Sequence, residues 1–375
     1  MDWQIYYRSM KGEMIRTLKN LVQLESPTTD KKAVDLCSEA VVKEISSLGL
    51  KIKKIPQKET GDFYLIEFTP NTKPQDKPIL LLGHTDTVWP VGTLEKMPFY
   101  IEGEKIYGPG ALDMKAGLVS AIYALKAMVK LGLSPKRKIW FFLNSAEETG
   151  HEESHKKIAE LARRSGLVLC LEPGLPGGTL KVERKGRLVV KLECFGKSAH
   201  ASTPEKGVSA VEELIFQLQQ IQKIKIKGLT LNIGLIGGGE KANVVPEQAW
   251  AVCDFRFWLK EDLARLKSYL RDLKPAAKPA RVKVSVLSYT PPMEFNSASR
   301  ALFEKARTMA REMGFDIFPG KSGGGSDASI AASVGLPALD GLGPEGEGIH
   351  ARHEHLLLPS FIQKTALLTR LLLEL

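Results

Sequence analysis

Short, unbroken apolar runs punctuate the first half of the chain: Ile79 to Gly83, residues 138–143 and residues 167–171. Runs of this length without polar alternation mark strands buried on both faces, as in parallel sheets covered by helices. Around them lie apolar residues at helical spacing. Residues 8–24 read as one amphipathic helix. Val34, Cys37, Val41, Ile45 and Leu48 form a second stripe, after the turn residues Ser26, Pro27, Thr28, Thr29 and Asp30. Residues 62–69 alternate like a strand, and a long helix is expected over about 115–131.

The rhythm changes near residue 185. Strand 187–195, helix 207–223, strands 229–237 and 245–257, helix 261–273 and strand 281–287 follow in order. That β-α-β-β-α-β succession is the split βαβ pattern and predicts an inserted domain over 185–289. The flanking segments, 1–184 and 290–375, are then two parts of one catalytic domain. The second part is expected to hold a helix over 298–313, a glycine-rich loop over 320–327, a short strand near 337–339 and a final helix from about 358 to 375. There is no internal repeat and no low-complexity segment.

Composition changes this picture little. The 375 residues suffice for two domains, and 43% hydrophobic with 26% charged residues is ordinary for a soluble globular protein. The net charge of +10 admits anionic partners, but Lys and Arg are scattered without a basic block. Nucleic acid is therefore not expected as a partner. Cys37, Cys170, Cys194 and Cys253 have no paired spacing, and most sit in apolar segments. The first residues lack a basic region followed by an apolar one, so no signal peptide is expected. No apolar run approaches membrane-spanning length, so no membrane partner is expected. A reduced, cytoplasmic compartment follows as the expectation.

Chemistry gathers where the strands should end. His84 and Asp86 follow the first apolar run, and ligands of open α/β sheets collect at the carboxyl ends of strands. A neutral imidazole is a good zinc ligand, and a carboxylate two residues on can fix its tautomer. Asp113 lies in a tight loop after Tyr107-Gly-Pro-Gly110, just before a helix start. Glu147 and Glu148 end the second run; two adjacent carboxylates are not cheaply buried unless a cation shares their site. Glu172 ends the third run. The recurrence of such residues at separate strand ends is more informative than any one of them. His350 follows a glycine-rich loop, with Ile349 before it suggesting a strand-like entry into the core. His200 lies in the inserted domain.

Two motifs mislead. His151-Glu-Glu-Ser-His155 matches the His-Glu-x-x-His zinc signature. It sits in a very polar stretch without the apolar neighbours of a buried active-site helix, and lacks an obvious third ligand. Gly320-Lys321-Ser322 resembles the end of a phosphate-binding loop, but that motif needs glycine where Phe315 stands. The glycines there, Gly324 among them, instead let backbone approach a ligand or another segment closely.

In order, the chain carries Gly-His84-Thr-Asp86, Gly-Ala-Leu-Asp113-Met-Lys-Ala-Gly, Glu147-Glu148-Thr-Gly, Leu-Glu172-Pro and Gly-Lys-Ser-Ala-His200-Ala. Ala-Asn243-Val-Val-Pro, Asp-Phe-Arg256, Gly-Gly-Gly-Ser-Asp327-Ala and His350-x-x-x-Glu354 follow. With these motifs the chain resembles, over nearly its whole length, the zinc peptidases and deacylases that include bacterial glutamate carboxypeptidase, acetylornithine deacetylase and succinyl-diaminopimelate desuccinylase. It is most similar in flavour to the first. The resemblance implies an α/β catalytic domain with a mixed, mostly parallel sheet and helices on both faces, plus an α+β ferredoxin-like lid and dimerisation domain. It implies two Zn2+ per subunit, with Co2+ or Mn2+ able to substitute. Asp113 would bridge them, His84 and Glu172 would complete one site, and Glu148 and His350 the other. Asp86 would orient His84, Glu147 would be the general base, and the Asp113–Met114 bond would be cis. His200 would stabilise the oxyanion, often from the partner subunit of a homodimer. Asn243 and Arg256 match positions that hold a substrate carboxylate, and Gly324 is grouped with them.

The reaction these residue types suit is hydrolysis of an amide next to a free carboxylate, in a small peptide or N-acyl amino acid. A carboxypeptidase is the first expectation and an N-acyl amino acid deacylase the alternative. A non-catalytic zinc-binding protein on the same fold is a further one, against which Glu147 argues, because a binder needs no base. The stretch Ser288-Tyr-Thr-Pro-Pro-Met293 lacks the arginine that glutamate carboxypeptidase has near this exit, so strict glutamate preference is not implied. Lys321 or Arg184 are candidates to supply that charge.

Overall fold

The computed structural model describes residues 1–71 and 76–375. It divides into two compact units, one of Met1–Val182, Phe295–Lys321 and Ser326–Leu375, the other of Glu183–Glu294 and Ser322–Gly325.

The first unit is built on a six-stranded mixed sheet. Its strands lie in the order Lys51–Ile55, Phe63–Phe68, Ile139–Asn144, Ile79–His84, Leu167–Cys170 and Ala338–Leu339. The first two pairings are antiparallel and the other three parallel. The strand Ile79–His84 is buried at every position. Its Ile79 and Leu81 join the main core with Phe141, Leu143 and Leu169. Leu80 and Leu82 point the other way and are equally buried, so helices cover both faces. Burying each such side chain contributes about 1.5–3 kcal/mol, which fixes the strand that delivers His84.

The helix Ala116–Lys130 is buried along almost its whole circumference, because it runs through the core between the sheet and the C-terminal helix Leu358–Glu374. Gly117 is required at its first turn: a Cβ there would lie 2.2 Å from the carbonyl oxygen of Leu171. Asp30 caps the helix Lys31–Ser46 by accepting from the Ala33 amide at 3.1 Å, and Asn296 caps Ser297–Glu312 in the same way.

Among the features that differ from the pattern read in the sequence, three concern elements of the first unit. The expected helix 8–24 is two helices, Trp3–Ser9 and Lys11–Gln23, broken at Met10. Asp2 caps the first, and its Trp3 and Tyr7 stack in the core, where the Tyr7 hydroxyl meets Thr369 Oγ1 at 2.6 Å. The edge strand Lys51–Ile55, rich in lysine, escapes an apolar-run search because it is mostly exposed. The glycine-rich loop begins as the strand Phe318–Ser322, and Asp327 opens the short helix Asp327–Ala332.

The second unit is a four-stranded antiparallel sheet in the order Thr230–Gly238, Gln248–Phe257, Gly186–Phe195 and Arg281–Thr290. Alternate residues of the two central strands are buried with the helices Ala210–Gln222 and Lys260–Arg271 in a separate core. Element order and strand order together make this unit ferredoxin-like. All four cysteines are buried and free. Among the described residues no helix is long and apolar enough to cross a membrane.

Candidate metal centre

Parallel register explains why distant residues meet in the first unit. His84 lies opposite Asn144, and Leu82 opposite Cys170, so the three strands end on one side of the sheet, the third two residues short of the other two. The chain leaves them as Thr85–Asp86, Ser145–Glu148 and Leu171–Glu172. Asn144 shapes the middle exit, accepting from the Ala146 amide at 3.1 Å and donating to Ser154 Oγ and Asp327 Oδ2 at 2.8 and 2.7 Å.

Asp86 organises the first two exits. Its Oδ1 accepts from the Glu147 amide at 3.1 Å, and its Oδ2 accepts from the Glu148 amide at 3.0 Å and the Thr28 hydroxyl at 2.7 Å. The closer contact of His84 Nδ1 is therefore to the Asp86 main-chain oxygen, at 2.9 Å, with the carboxylate 3.4 Å away. A carbonyl can only accept, so Nδ1 donates to it and Nε2 is the nitrogen left for a cation or a proton.

That nitrogen faces two carboxylates. His84 Nε2 is 3.5 Å from Asp113 Oδ1 and 3.5 Å from Glu172 Oε1. On the other side, His350 Nε2 is 3.4 Å from Asp113 Oδ2 and 3.3 Å from Glu148 Oε2. Two triads result, His84–Asp113–Glu172 and Asp113–Glu148–His350, each with its donor atoms within 4.8 Å of one another. Asp113 belongs to both and turns one oxygen to each. It follows the left-handed turn at Gly110 (φ 68°), and the Asp113–Met114 bond is cis. His350 also has left-handed backbone, φ 59°, alone among the described non-glycine residues, a conformation that clusters at functional sites. Ile349 does not lead it into the core: it is 41% exposed in a turn, and the His350 side chain is half-exposed.

The donor set fits divalent cations. His84 Nε2, Asp113 Oδ1 and Glu148 Oε1 are buried and have no hydrogen-bond partner among the described residues. Such atoms are costly to bury unless something binds them. One imidazole and two carboxylates per triad suit zinc and its first-row neighbours. The electrostatics agree. Burial opposes charge on His84, but Asp113, Asp86 and Glu172 overcome it and raise its pKa well above the ordinary value. Asp113 and Glu148 raise His350 to about 10. Burial pushes Asp113 up, but His350 and His84 pull it below the usual carboxylate range. Burial and the nearby Glu172 hold Glu147 well above that range, and burial puts Glu148 at about 6. A site that draws protons onto two imidazoles offers the same stabilisation to cations.

Several partners receive no role from the sequence, although Asp327 and Glu354 stand in its ordered motifs. Asp327, pushed up to about 7 by burial despite its bond from Asn144, backs Glu147 and Glu172. Lys181 Nζ stands 3.8 Å from Glu172 Oε2. Glu354 accepts amides of the Asp113 loop.

The remaining candidates lie in the second unit. His200 is exposed, and its Nδ1 accepts from the Ser202 amide at 3.1 Å, so Nε2 bears the proton and is free to donate outward. The Ala201 amide donates to the Asn243 carbonyl at 3.0 Å, and His200 bridges Val244, so these two candidates sit side by side. Arg256 is paired with Asp254 at 2.9 Å and donates to the Gly323 carbonyl at 3.2 Å. The Gly324 carbonyl accepts from Arg184 at 3.2 Å.

His151 precedes the helix Glu152–Arg163 and His155 lies on it, yet neither joins a group able to hold a metal among the described residues. Replacing His155 with alanine is expected to leave metal content and kcat unchanged. Metal analysis with steady-state kinetics checks this, and metal loss would restore the one-zinc motif as the centre.

A family model for peptidase family M20/M25/M40 matches residues 80–374. The chain is 30% identical over 372 residues to carboxypeptidase G2 of Pseudomonas sp. (strain RS-16), covering 96% of this chain and 89% of that one. It is 23% identical over 395 residues to succinyl-diaminopimelate desuccinylase of Coxiella burnetii (strain RSA 493 / Nine Mile phase I), covering 96% and 99%. The crystal structure of aminopeptidase PepT from Bacillus cereus ATCC 10987 has the same fold, with a TM-score of 0.76 at 22% identity over 96% of this chain and 98% of that one.

Proposed function

The chain belongs to peptidase family M20/M25/M40, and from that premise we propose that it is a dinuclear zinc hydrolase cleaving an amide bond next to a free carboxylate. The observation that carries this reading is Asp113, which turns Oδ1 toward His84 and Oδ2 toward His350. One cation would be held by His84, Asp113 and Glu172, the other by Asp113, Glu148 and His350, with Co2+ or Mn2+ able to replace Zn2+. Bound there, a cation pair supplies Lewis acidity, polarising a carbonyl and acidifying water.

The chain's own residues supply the rest. Glu147 belongs to neither triad, and its backbone is clamped by Asp86 beside both. As general base it would take the proton of the attacking water and pass it to the leaving amine. Asp86 would keep Glu147 and Glu148 aimed and hold the His84 tautomer. His200, with Nε2–H facing outward, would donate to the oxygen that becomes negative as water adds. Asn243 and Arg256 would receive the substrate carboxylate, with Gly324 lining the approach. The pairing of Arg256 with Asp254 presents its guanidinium in a fixed orientation.

Likeness to carboxypeptidase G2 along 96% of this chain favours a carboxypeptidase acting on small peptides or N-acyl amino acids. Zinc-loaded protein offered dipeptides, N-acyl glutamates, N-acetylornithine and N-succinyl-diaminopimelate is expected to release the carboxyl-terminal amino acid from peptides and acyl glutamates. Turnover of the last two alone would replace this reading with the deacylase one.

The second unit would be lid and dimerisation domain. Both its edge strands expose apolar residues, Leu235 and Ile236 on one, Val286 and Leu287 on the other, as a pairing surface would. A homodimer through this unit would allow His200 to act in the partner's site. Four buried free thiols suit a reducing cytoplasm.

A further inference from the structure

Glu354 lies four residues after His350 and is almost fully buried, 1% exposed. Its carboxylate gathers four N–H donors. Oε1 accepts from the amides of Leu112 and Asp113 at 3.0 and 3.2 Å. Oε2 accepts from the Gly110 amide at 3.0 Å and the Trp89 indole at 2.9 Å. Its own main chain closes the arrangement, accepting from Gly108 and donating to Ala351.

These donors come from two other segments. Trp89 is five residues beyond His84, and Gly110 to Asp113 is the loop that ends in the shared carboxylate. One buried carboxylate therefore ties together the segments bearing His84, Asp113 and His350, which are 29 and 237 residues apart in the chain. A carboxylate is acceptor-only when ionised and matches four donors; an amide in its place would turn an NH2 group toward N–H groups. It is not close enough to either triad to belong to it.

We propose that Glu354 is a positioning residue for the metal centre: it touches neither cation nor substrate, and it fixes the loop that aims the two Asp113 oxygens at separate sites. The inference rests on the two-metal reading above. Partners that orient metal ligands commonly matter by about 10–100-fold in metal affinity.

The test compares wild type with Glu354→Gln by equilibrium dialysis against zinc, by the visible spectrum of the cobalt-loaded protein, and by thermal melting of the metal-free protein. The variant is expected to weaken metal binding about 10–100-fold and to alter the cobalt spectrum. A variant with wild-type metal affinity and spectrum, whether or not its metal-free melting temperature falls, overturns the proposal. If Glu354→Gln does not fold, Trp89→Phe carries the test, because it removes one donor of the four and keeps an aromatic ring. Wild-type affinity and spectrum in that variant overturn the proposal equally. Wild-type protein that fails to bind two equivalents of metal defeats the two-metal reading instead, so the two failures are distinct.

Discussion

Glu147→Ala is expected to bind its full complement of metal and to turn over substrate about 10²–10⁴-fold more slowly, the usual contribution of a positioned general base. The separation of the two effects follows from the geometry. Glu147 donates no atom to either triad, so the metals should not register its loss. Its main chain stays fixed by Asp86 Oδ1, so the adjacent Glu148 keeps its place through Asp86 Oδ2. Burial and Glu172 raise the proton affinity of Glu147, which suits a group that must hold a proton between water and leaving amine. Metal analysis and kcat measured on the same preparation check the prediction. Unimpaired turnover would remove Glu147 as the base, and loss of metal would make it a ligand.

Asp113→Ala is expected to strip metal from both sites, whereas His350→Ala should chiefly empty one. Asp113 is the one residue common to the two triads, and each of its oxygens stands about as far from its imidazole as the other, 3.5 and 3.4 Å. Removing it would withdraw a charged donor from both proposed cation sites at once and leave the amides gathered by Glu354 without the carboxylate they position. Asp113→Asn keeps one oxygen and should fall between. Metal per chain after dialysis separates the three variants, and Asp113→Ala retaining two equivalents would refute the bridge.

The fold and most of the candidate centre were legible in the sequence for one physical reason. Parallel strands buried on both faces must be short apolar runs, and chemistry carried at their ends shows as polar residues breaking each run. His84, Glu147, Glu148 and Glu172 are visible in this way. Asp113 and His350 are not, since a loop before a helix and a turn after glycines have many ordinary uses; the ordered motifs of the whole chain singled them out. Asn144 appears in none of those motifs, and Asp327 and Glu354 appear in them without a role, because all three act through side-chain hydrogen bonds across up to 265 residues, as in Trp89 to Glu354, and such contacts leave no period to read. The same limit applies to Asp86. Its proximity to His84 suggested a carboxylate–imidazole contact, and the carboxylate does stand 3.4 Å from Nδ1, but it also accepts two amides, and the shorter contact of the imidazole is to the main-chain oxygen.

The most direct measurement is anomalous diffraction at the zinc edge from zinc-loaded crystals. Two peaks flanking the Asp113 carboxylate are expected, one among His84, Asp113 and Glu172, the other among Asp113, Glu148 and His350. A lone peak away from Asp113, or one between His151 and His155, would contradict the account.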